Sequence, residues 1–503
     1  MRGHDFHNKQ LEDKHRFAAG PVPVVAEGDV VHRLARATSP GLTALRPSFT
    51  KDVGHNRRHS LDRPGRLLLS HFSDLSFYGG SRPSLPILSY CKIDSMKILA
   101  INCGSSTLKF RLFEIESEGS ASDREREVAD GSVERIGEQS AIIGFGSESG
   151  ESLQHPAEVA DHDEATRRVL DWLRTTGLMG RDGPEAVGHR VVHGGDRFAG
   201  PALIEDRIMD EIEALSDLAP LHNPPALAAI RSARAALDPS VPMVAVFDTA
   251  FHRTLPERAS QYAIPRELAA KYHIQRYGFH GIAHQYMAER YAAITNTPLQ
   301  QAKLITLQLG NGCSATAIKD GRSVDTSMGF TPLEGLMMGT RSGDIDPSLI
   351  GFLARREGAD VAEVEDWLNE QSGLLGVSGH SRDMRELLEA EASGDDRAAL
   401  AVEMFCYRIR KYIGAYLATL SGVDAVIFGG GIGENAPQVR ARVCASMDWC
   451  DLKLDQERNS YTLGSEDRVS TEDSGVHAYV VPVDEEMMIA HDTAHCLRDH
   501  RQK

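Results

Sequence analysis

Five short apolar runs, each cut off by glycine or a small polar residue, set the tightest limit on how this chain can fold. They lie at 97–102, 241–247 (VPMVAVF), 303–309 (KLITLQL), 424–428 (DAVIF) and 478–483 (AYVVPV). Runs so short and so apolar suit strands covered on both faces. Between them fall stretches of helical period. In 401–420, Val402, Phe405, Ile409, Ile413, Tyr416 and Leu420 recur at three-to-four spacing and make one apolar stripe. Strand and helix in alternation predict an α/β architecture. At 503 residues the chain is too long for one core, so two lobes are expected.

Residues 1–95 stand apart. They carry 14 Lys and Arg against 9 Asp and Glu, a net of +5, whereas the whole chain carries −17 and the remainder therefore −22. This segment also holds 7 of the 22 prolines and 7 of the 21 histidines, without sustained period, and is expected to be disordered. At Met96 the character changes: MKILAINCGSSTLKFRLFEI reads as strand, small-residue turn, strand. The contrast predicts that translation starts at Met96, in preference to a basic targeting or interaction arm. The acidic balance speaks against a nucleic-acid partner but not against an anionic substrate, because a few arginines and a metal can invert the field within a cleft. No apolar run reaches the ~20 residues needed to span a bilayer, and no signal-type stretch opens the chain. Seven scattered cysteines without a CxxC pair suit a reducing compartment, so the expected location is cytoplasmic.

Seven polar motifs punctuate this framework. Asn102-Cys103-Gly104-Ser105-Ser106-Thr107-Leu108-Lys109 is a small-residue turn able to offer amides, hydroxyls and an ammonium to an anion, though an ordinary hairpin would look the same. His189-Arg190-Val191-Val192-His193-Gly194-Gly195 sets a guanidinium among apolar residues, for a carboxylate, a phosphate or a structural ion pair. Asp248 follows the run at 241–247, where a metal-orienting or nucleophile-orienting carboxylate and a helix cap are equally natural. His280 and His284 are four apart, as a metal pair would be, but without the HExxH glutamate a single catalytic His280 beside a structural His284 is the better expectation. The run Asp325–Pro347, dense in glycine and containing Arg341, describes a shaped loop. Gly429–Asn435 (GGGIGEN) is a glycine turn that lets backbone approach a flat ligand. Asp484-Glu485-Glu486 could ligate Mg²⁺ or be a solvated charge run.

In their order, NCGSSTLK, HRVVHGG, PLHNP, FDTAFH, YGFHG, LGNG, DTSMGFTPLEGLMMGTRSGDIDP, GGGIGEN and DEE resemble the acetate kinase family from residue 96 to about 495. The resemblance implies the two-lobed actin-like ATPase fold, a duplicated βββαβαβα unit with the nucleotide in the interlobe cleft. The implied lobes are 96–250, rejoined by 484–503, and 251–483. It implies reversible phosphoryl transfer between ATP and acetate with Mg²⁺ or Mn²⁺, and a homodimer. By matching positions, Arg190, Asp248, His280 and Arg341 are the implied catalytic set, and Asn102 and Glu485 the metal positions. Ser105 and Thr107 match the phosphate loop. Arg190, Val192, Leu221, Phe279 and Pro332 match the substrate site. The implied nucleotide contacts are Lys109, Thr306, Leu307, Gln308, Leu309, Gly310, Asn311, Asp383, Met384, Arg385, Gly430, Gly431, Ile432, Gly433 and Glu434. Thr107, an extra glycine of GGGIGEN where Thr or Ala is more usual, and Asp484 depart from the usual pattern, none removing a required group. Alternatives are a propionate kinase, against which Val192 leans by keeping the pocket small, and an ATP-binding member without an acyl acceptor, which would not need the four catalytic residues.

Overall fold

The structure is a computed structural model that describes residues 95–116, 125–148, 150, 152–180, 183–220 and 222–501. The expectation of disorder for residues 1–94 and the placement of Leu221 lie outside these residues. Fourteen strands among them form two sheets. The first contains β1 (Ser95–Cys103), β2 (Thr107–Glu116), β3 (Glu125–Glu134), β4 (Ala141–Ser147), β5 (Ser152–Ala157), β6 (Ala186–Val191), β7 (Ala202–Leu203) and β8 (Met243–Phe247). The second contains β9 (Lys303–Leu309), β10 (Cys313–Lys319), β11 (Arg322–Thr326), β12 (Ala425–Gly429), β13 (Asp467–Arg468) and β14 (His477–Val480).

The strand orders are β5-β4-β3-β2-β1-β6-β8-β7 and β11-β10-β9-β12-β14-β13. Each sheet has the same plan. A meander of antiparallel strands (β1, β2, β3 and β9, β10, β11) meets two strands parallel to its first member (β6, β8 and β12, β14). Of the parallel strands, all but β6 come from the apolar runs of the sequence. Met243–Phe247 and Ala425–Gly429 are buried throughout, as strands under helices on both faces must be. The run at 303–309 gives β9 with its expected limits, while 478–483 supplies a strand only to Val480.

Helix Asp396–Leu420 buries the expected stripe against β10 and begins five residues earlier than its period shows, where the Asp395 carboxylate accepts from the amides of Arg397 and Ala398. GGGIGEN, expected as a turn, closes instead into the short helix Gly430–Asn435. Residues 327–347 contain neither helix nor strand, as their glycine content predicts.

Helix Glu485–Arg501 runs back onto the first sheet, where Met488, Ile489, Ala490 and Leu497 pack on Ile98, Ala100, Val244 and Val246. Gly188 in β6 makes this contact possible. A Cβ there would lie 2.3 Å from Thr493 Oγ1 and 2.7 Å from Ile489 Cγ2, so any side chain would push the helix away. Every apolar side chain sunk in this seam contributes roughly 1.5–3 kcal/mol, which anchors the helix firmly.

Candidate active site

Parallel strands end with their carbonyl ends on one side, and the chain there turns into loops that expose side chains. Asn102, Arg190 and Asp248 occupy these ends on the neighbouring strands β1, β6 and β8. Arg190 is the link between them. It donates to Asn102 Oδ1 at 3.0 Å and to Asp248 Oδ2 at 2.6 Å, and its Nε lies 4.0 Å from Glu485 Oε2. Asn102 Nδ2 donates to Glu485 Oε2 and Glu486 Oε1, both at 2.9 Å. The C-terminal helix therefore starts inside this cluster. Burial alone would raise the Asp248 carboxyl, but the Arg190 guanidinium outweighs it and holds it below the ordinary carboxylate range. Glu485 goes the other way: burial raises it, and Asp248 and Glu486 add to the rise against Arg190. Asp248 Oδ1 and Arg190 Nε are buried without hydrogen-bond partners, so the cluster keeps unsatisfied polar atoms within it.

His280 approaches from the second half of the chain. It precedes helix Gly281–Thr295 in the left-handed region, with φ 56°, and the Gly281 amide donates to the Asp248 carbonyl at 2.8 Å. A Cβ on Gly281 would stand 2.1 Å from that carbonyl oxygen, so only glycine permits the helix to start here. Burial pushes His280 down to about 4, with Arg190 and Arg341 adding and Asp248 opposing, so the ring is neutral near pH 7. Gly312, in the β9–β10 turn, separates His280 from Arg341. A Cβ on it would meet the His280 ring at 3.4 Å and Arg341 Nη1 at 3.5 Å. Arg341 donates to the Pro332 carbonyl at 3.4 Å, and burial lowers its pKa with no carboxylate offsetting the loss. Two guanidiniums and an imidazole thus face one cleft, and Arg341 retains charge for an incoming anion.

Two cavities lie beside this cluster, the first reaching it at Glu485 and Glu486. One of about 270 Å³ is lined by Lys109, Gln308, Gly430, Gly431, Glu434, Glu485 and Glu486. The other, about 530 Å³, is bounded by Gly310, Asn311, Asp383, Met384, Arg385, Gly431 and Ile432, among others. Gly431 belongs to both walls. Asp383 caps helix Met384–Ala392 through the Arg385 amide at 2.8 Å and pairs with the Arg385 guanidinium at 2.7 Å. Behind this wall lies Arg440, fully buried, donating to the carbonyls of Gly433, Glu434, Asn459 and Thr462 and to Asn459 Oδ1. It ties the glycine segment to the chain that follows.

Of the residues expected at the site, the structure brings Asn102, Arg190, Asp248, His280, Arg341 and Glu485 around one cleft. Lys109, Gln308, Gly310, Asn311, Asp383, Met384, Arg385, Gly430, Gly431, Ile432 and Glu434 line the two cavities. Ser105 sits in the β1–β2 turn, exposed, and Thr107 opens β2, half-buried. Leu307 and Leu309 are core residues, Gly433 is buried under Arg440, and the Thr306 hydroxyl is turned to His284. Val192 and Phe279 lie in one apolar cluster near Arg341, beside Pro332. His280 and His284 converge on Ser314 rather than on a metal position. Among the described residues no group of three or more His, Cys, Asp or Glu is placed to hold a metal ion. Asp484 is drawn aside by Arg111 at 2.5 Å and caps the last helix through the Met487 amide, which leaves the Glu485–Glu486 pair undistorted. His222, within PLHNP, was not expected. Burial pushes it down to about 4, helped by the nearby Arg190 and Arg341 guanidiniums.

Comparison with known proteins adds a family. The model of the acetokinase family matches residues 97–491. The acetate kinase of Chloroherpeton thalassium is 45% identical over 414 residues, 80% of this chain and 99% of that protein. Two crystal structures superpose with a TM-score of 0.73 at 40% identity over 80% of the chain. They are the Porphyromonas gingivalis acetate kinase, covered in full, and a propionate kinase from Francisella tularensis, covered to 99%.

Proposed function

Because the chain belongs to the acetokinase family, we propose that it is an acetate kinase, transferring the terminal phosphoryl group of ATP directly and reversibly to acetate to give acetyl phosphate and ADP. The observation that carries the site assignment is the convergence of Arg190, Arg341 and neutral His280 on one cleft. Phosphoryl transfer needs alignment and dispersal of charge more than covalent chemistry. Acetate is already ionised at neutral pH, so no base is needed to activate it. Arg190 and Arg341 hold the carboxylate and the equatorial phosphoryl oxygens, and His280 donates to those oxygens in transit. Asp248 fixes Arg190 and supplies negative charge opposite it. Val192, Phe279 and Pro332 enclose the methyl group. The nucleotide occupies the cavities lined by Lys109, Gln308 and Gly310 on one side and Asp383–Arg385 and Gly430–Glu434 on the other.

The cofactor is proposed to be Mg²⁺, with Mn²⁺ able to replace it. A site of few protein ligands suits it, since Mg²⁺ takes one or two carboxylates and completes its shell with phosphates and water. Glu485, held by Asn102 in a carboxylate cluster with unsatisfied atoms, fits that demand. When bound, the ion neutralises charge on the phosphate oxygens.

The lobes are proposed at 96–250 with 484–503, and 251–483, supported by the repeated sheet plan. A homodimer is supported by helix Ser348–Glu357, which buries none of its residues and leaves Leu349 and Phe352 exposed. A cytoplasmic location fits the scattered cysteines without a CxxC pair; among the described residues no helix is long and apolar enough to cross a membrane.

A hydroxamate assay of acyl phosphate with acetate, propionate and butyrate tests the reading. Acetate should give the highest kcat/KM. Propionate should follow within about 10–200-fold, the range one methylene commands in an apolar pocket. Absence of acyl phosphate, or a preference for butyrate, would refute it.

A further inference from the structure

A line of four hydrogen-bonded side chains runs through the core and ends at the cleft. Thr306 Oγ1 on β9 lies 2.7 Å from His284 Nδ1. His284 Nε2 lies 2.7 Å from Ser314 Oγ on β10, and that oxygen lies 2.8 Å from His280 Nδ1. Thr306, His284 and Ser314 have no exposed surface, so solvent supplies no substitute partner. Burial keeps both rings neutral, His280 at about 4 and His284 well below its ordinary value.

Proton counting leaves three arrangements, because each hydroxyl donates once and each neutral ring donates from one nitrogen only. In one, both rings donate to Ser314, whose own proton then has no acceptor among the described residues, a costly state for a buried hydroxyl. Two others remain. In the first, His280 Nδ1–H donates to Ser314, Ser314 to His284 Nε2, and His284 Nδ1–H to Thr306. The Thr306 proton then has no acceptor among the described residues, and a buried unpaired hydroxyl is costly. In the second, Thr306 donates to His284 Nδ1, His284 Nε2–H donates to Ser314, and Ser314 donates to His280 Nδ1. Every proton in the line is then accepted, and His280 Nε2–H remains as a free donor. That nitrogen lies 3.4 Å from the position of a Cβ on Gly312, on the side where Arg341 lies.

We propose that Thr306, His284 and Ser314 form a one-way hydrogen-bond relay that fixes His280 as its Nε2–H tautomer, aimed into the cleft. This rests on the reading of His280 as a contact of the phosphoryl group in transit. The oxygens of that group only accept hydrogen bonds, so a bare Nε2 would repel them where an N–H attracts. The three residues behind His280 are positioning residues.

Nitrogen-15 NMR of the full chain labelled at histidine reads the tautomer directly, with the His280 signals identified by their loss in His280→Gln. The expected result at neutral pH is a proton on Nε2 and a bare Nδ1. A proton on Nδ1, or a charged ring, overturns the proposal. Kinetics supply a second test. Thr306→Val keeps the volume but removes the hydroxyl that sets the direction. Thr306→Ser keeps the hydroxyl and leaves a methyl-sized void. The valine variant should lose about 5- to 10-fold in kcat with little change in either KM, and the serine variant should stay within about twofold. The opposite order, which packing alone predicts, overturns the relay. Should the valine variant fail to fold, the wild-type tautomer decides alone. His280→Ala tests the underlying role separately. Near-normal turnover there would remove that role, while the NMR result would still decide the relay.

Discussion

Removing the Arg190 guanidinium should change both the stability of the protein and the sign of one of its responses to pH. Arg190 is the only cation bonded to Asp248 among the described contacts, at 2.6 Å, and Asp248 is 1% exposed. In Arg190→Ala the Asp248 carboxylate keeps its burial and loses its counter-charge. Breaking a buried pair from one side typically costs ~3–5 kcal/mol, and this is the loss expected at pH 8. In the wild type the Asp248 pKa is lowered on folding, so its stabilisation is present above the ordinary carboxylate range and lost as pH falls below it. In the variant burial loses its strongest opponent, with only the His280 contacts still opposing it, and the pKa is raised. The folded state then binds the proton more readily than the unfolded one, and acidification from neutral pH restores stability. The gap between variant and wild type should shrink by up to about 1.4 kcal/mol per pH unit once Asp248 begins to take its proton. Urea unfolding of both proteins at pH 8, 7, 6 and 5 measures that gap. A gap that stays constant or widens towards pH 5 would refute the argument, as would a variant as stable as the wild type at pH 8.

Arg341→Ala should lower kcat by at least ~10²-fold while leaving the urea midpoint nearly unchanged, because Arg341 has no carboxylate partner to abandon. Asp383→Ala should cost about 1 kcal/mol through the lost helix cap and raise KM for ATP more than it lowers kcat, as read by denaturation and by steady-state kinetics. Arg440→Leu should destabilise by at least ~3 kcal/mol, since several buried carbonyls lose their donor at once, and should weaken ATP binding measured by calorimetry although Arg440 lines neither nucleotide cavity.

Five of the six parallel strands are carried openly because each is largely buried and written as an apolar run, whereas β6, broken by Gly188, His189 and Arg190, is not. Asn102 and Asp248 are legible for the same reason: each is the polar residue at or next to the end of such a run, where a sheet of this kind places its chemistry, while Arg190 is legible only as a guanidinium among apolar residues. The outer strands of the first sheet's meander are another matter. Ser152–Ala157 is almost wholly exposed, and Glu125–Glu134 alternates irregularly around a register shift, so neither leaves an apolar signature. GGGIGEN reads as a turn because glycine disfavours helix, yet Gly430 lies so close to Leu309 that a Cβ would stand 2.7 Å from its carbonyl oxygen. The close packing there admits a short helix made of glycines. Ser314 and His222 could not be found from spacing. Ser314 is one small residue in a buried strand, and His222 reaches the two arginines only because the turn before helix Asn223–Ala236 brings it beside residues distant in sequence.

The helix that begins at Glu485 has a consequence for how the protein is made. Glu485 and its partner Asn102 are 383 positions apart, and between them the chain must build most of one sheet and all of another. Domains can take shape in order as they leave the ribosome. This centre cannot, because Glu485 emerges only after the strands of both sheets. A nascent chain therefore carries its arginines without the acidic residues that complete them, and the capacity to turn over nucleotide should arrive in one step, once Glu485 has emerged.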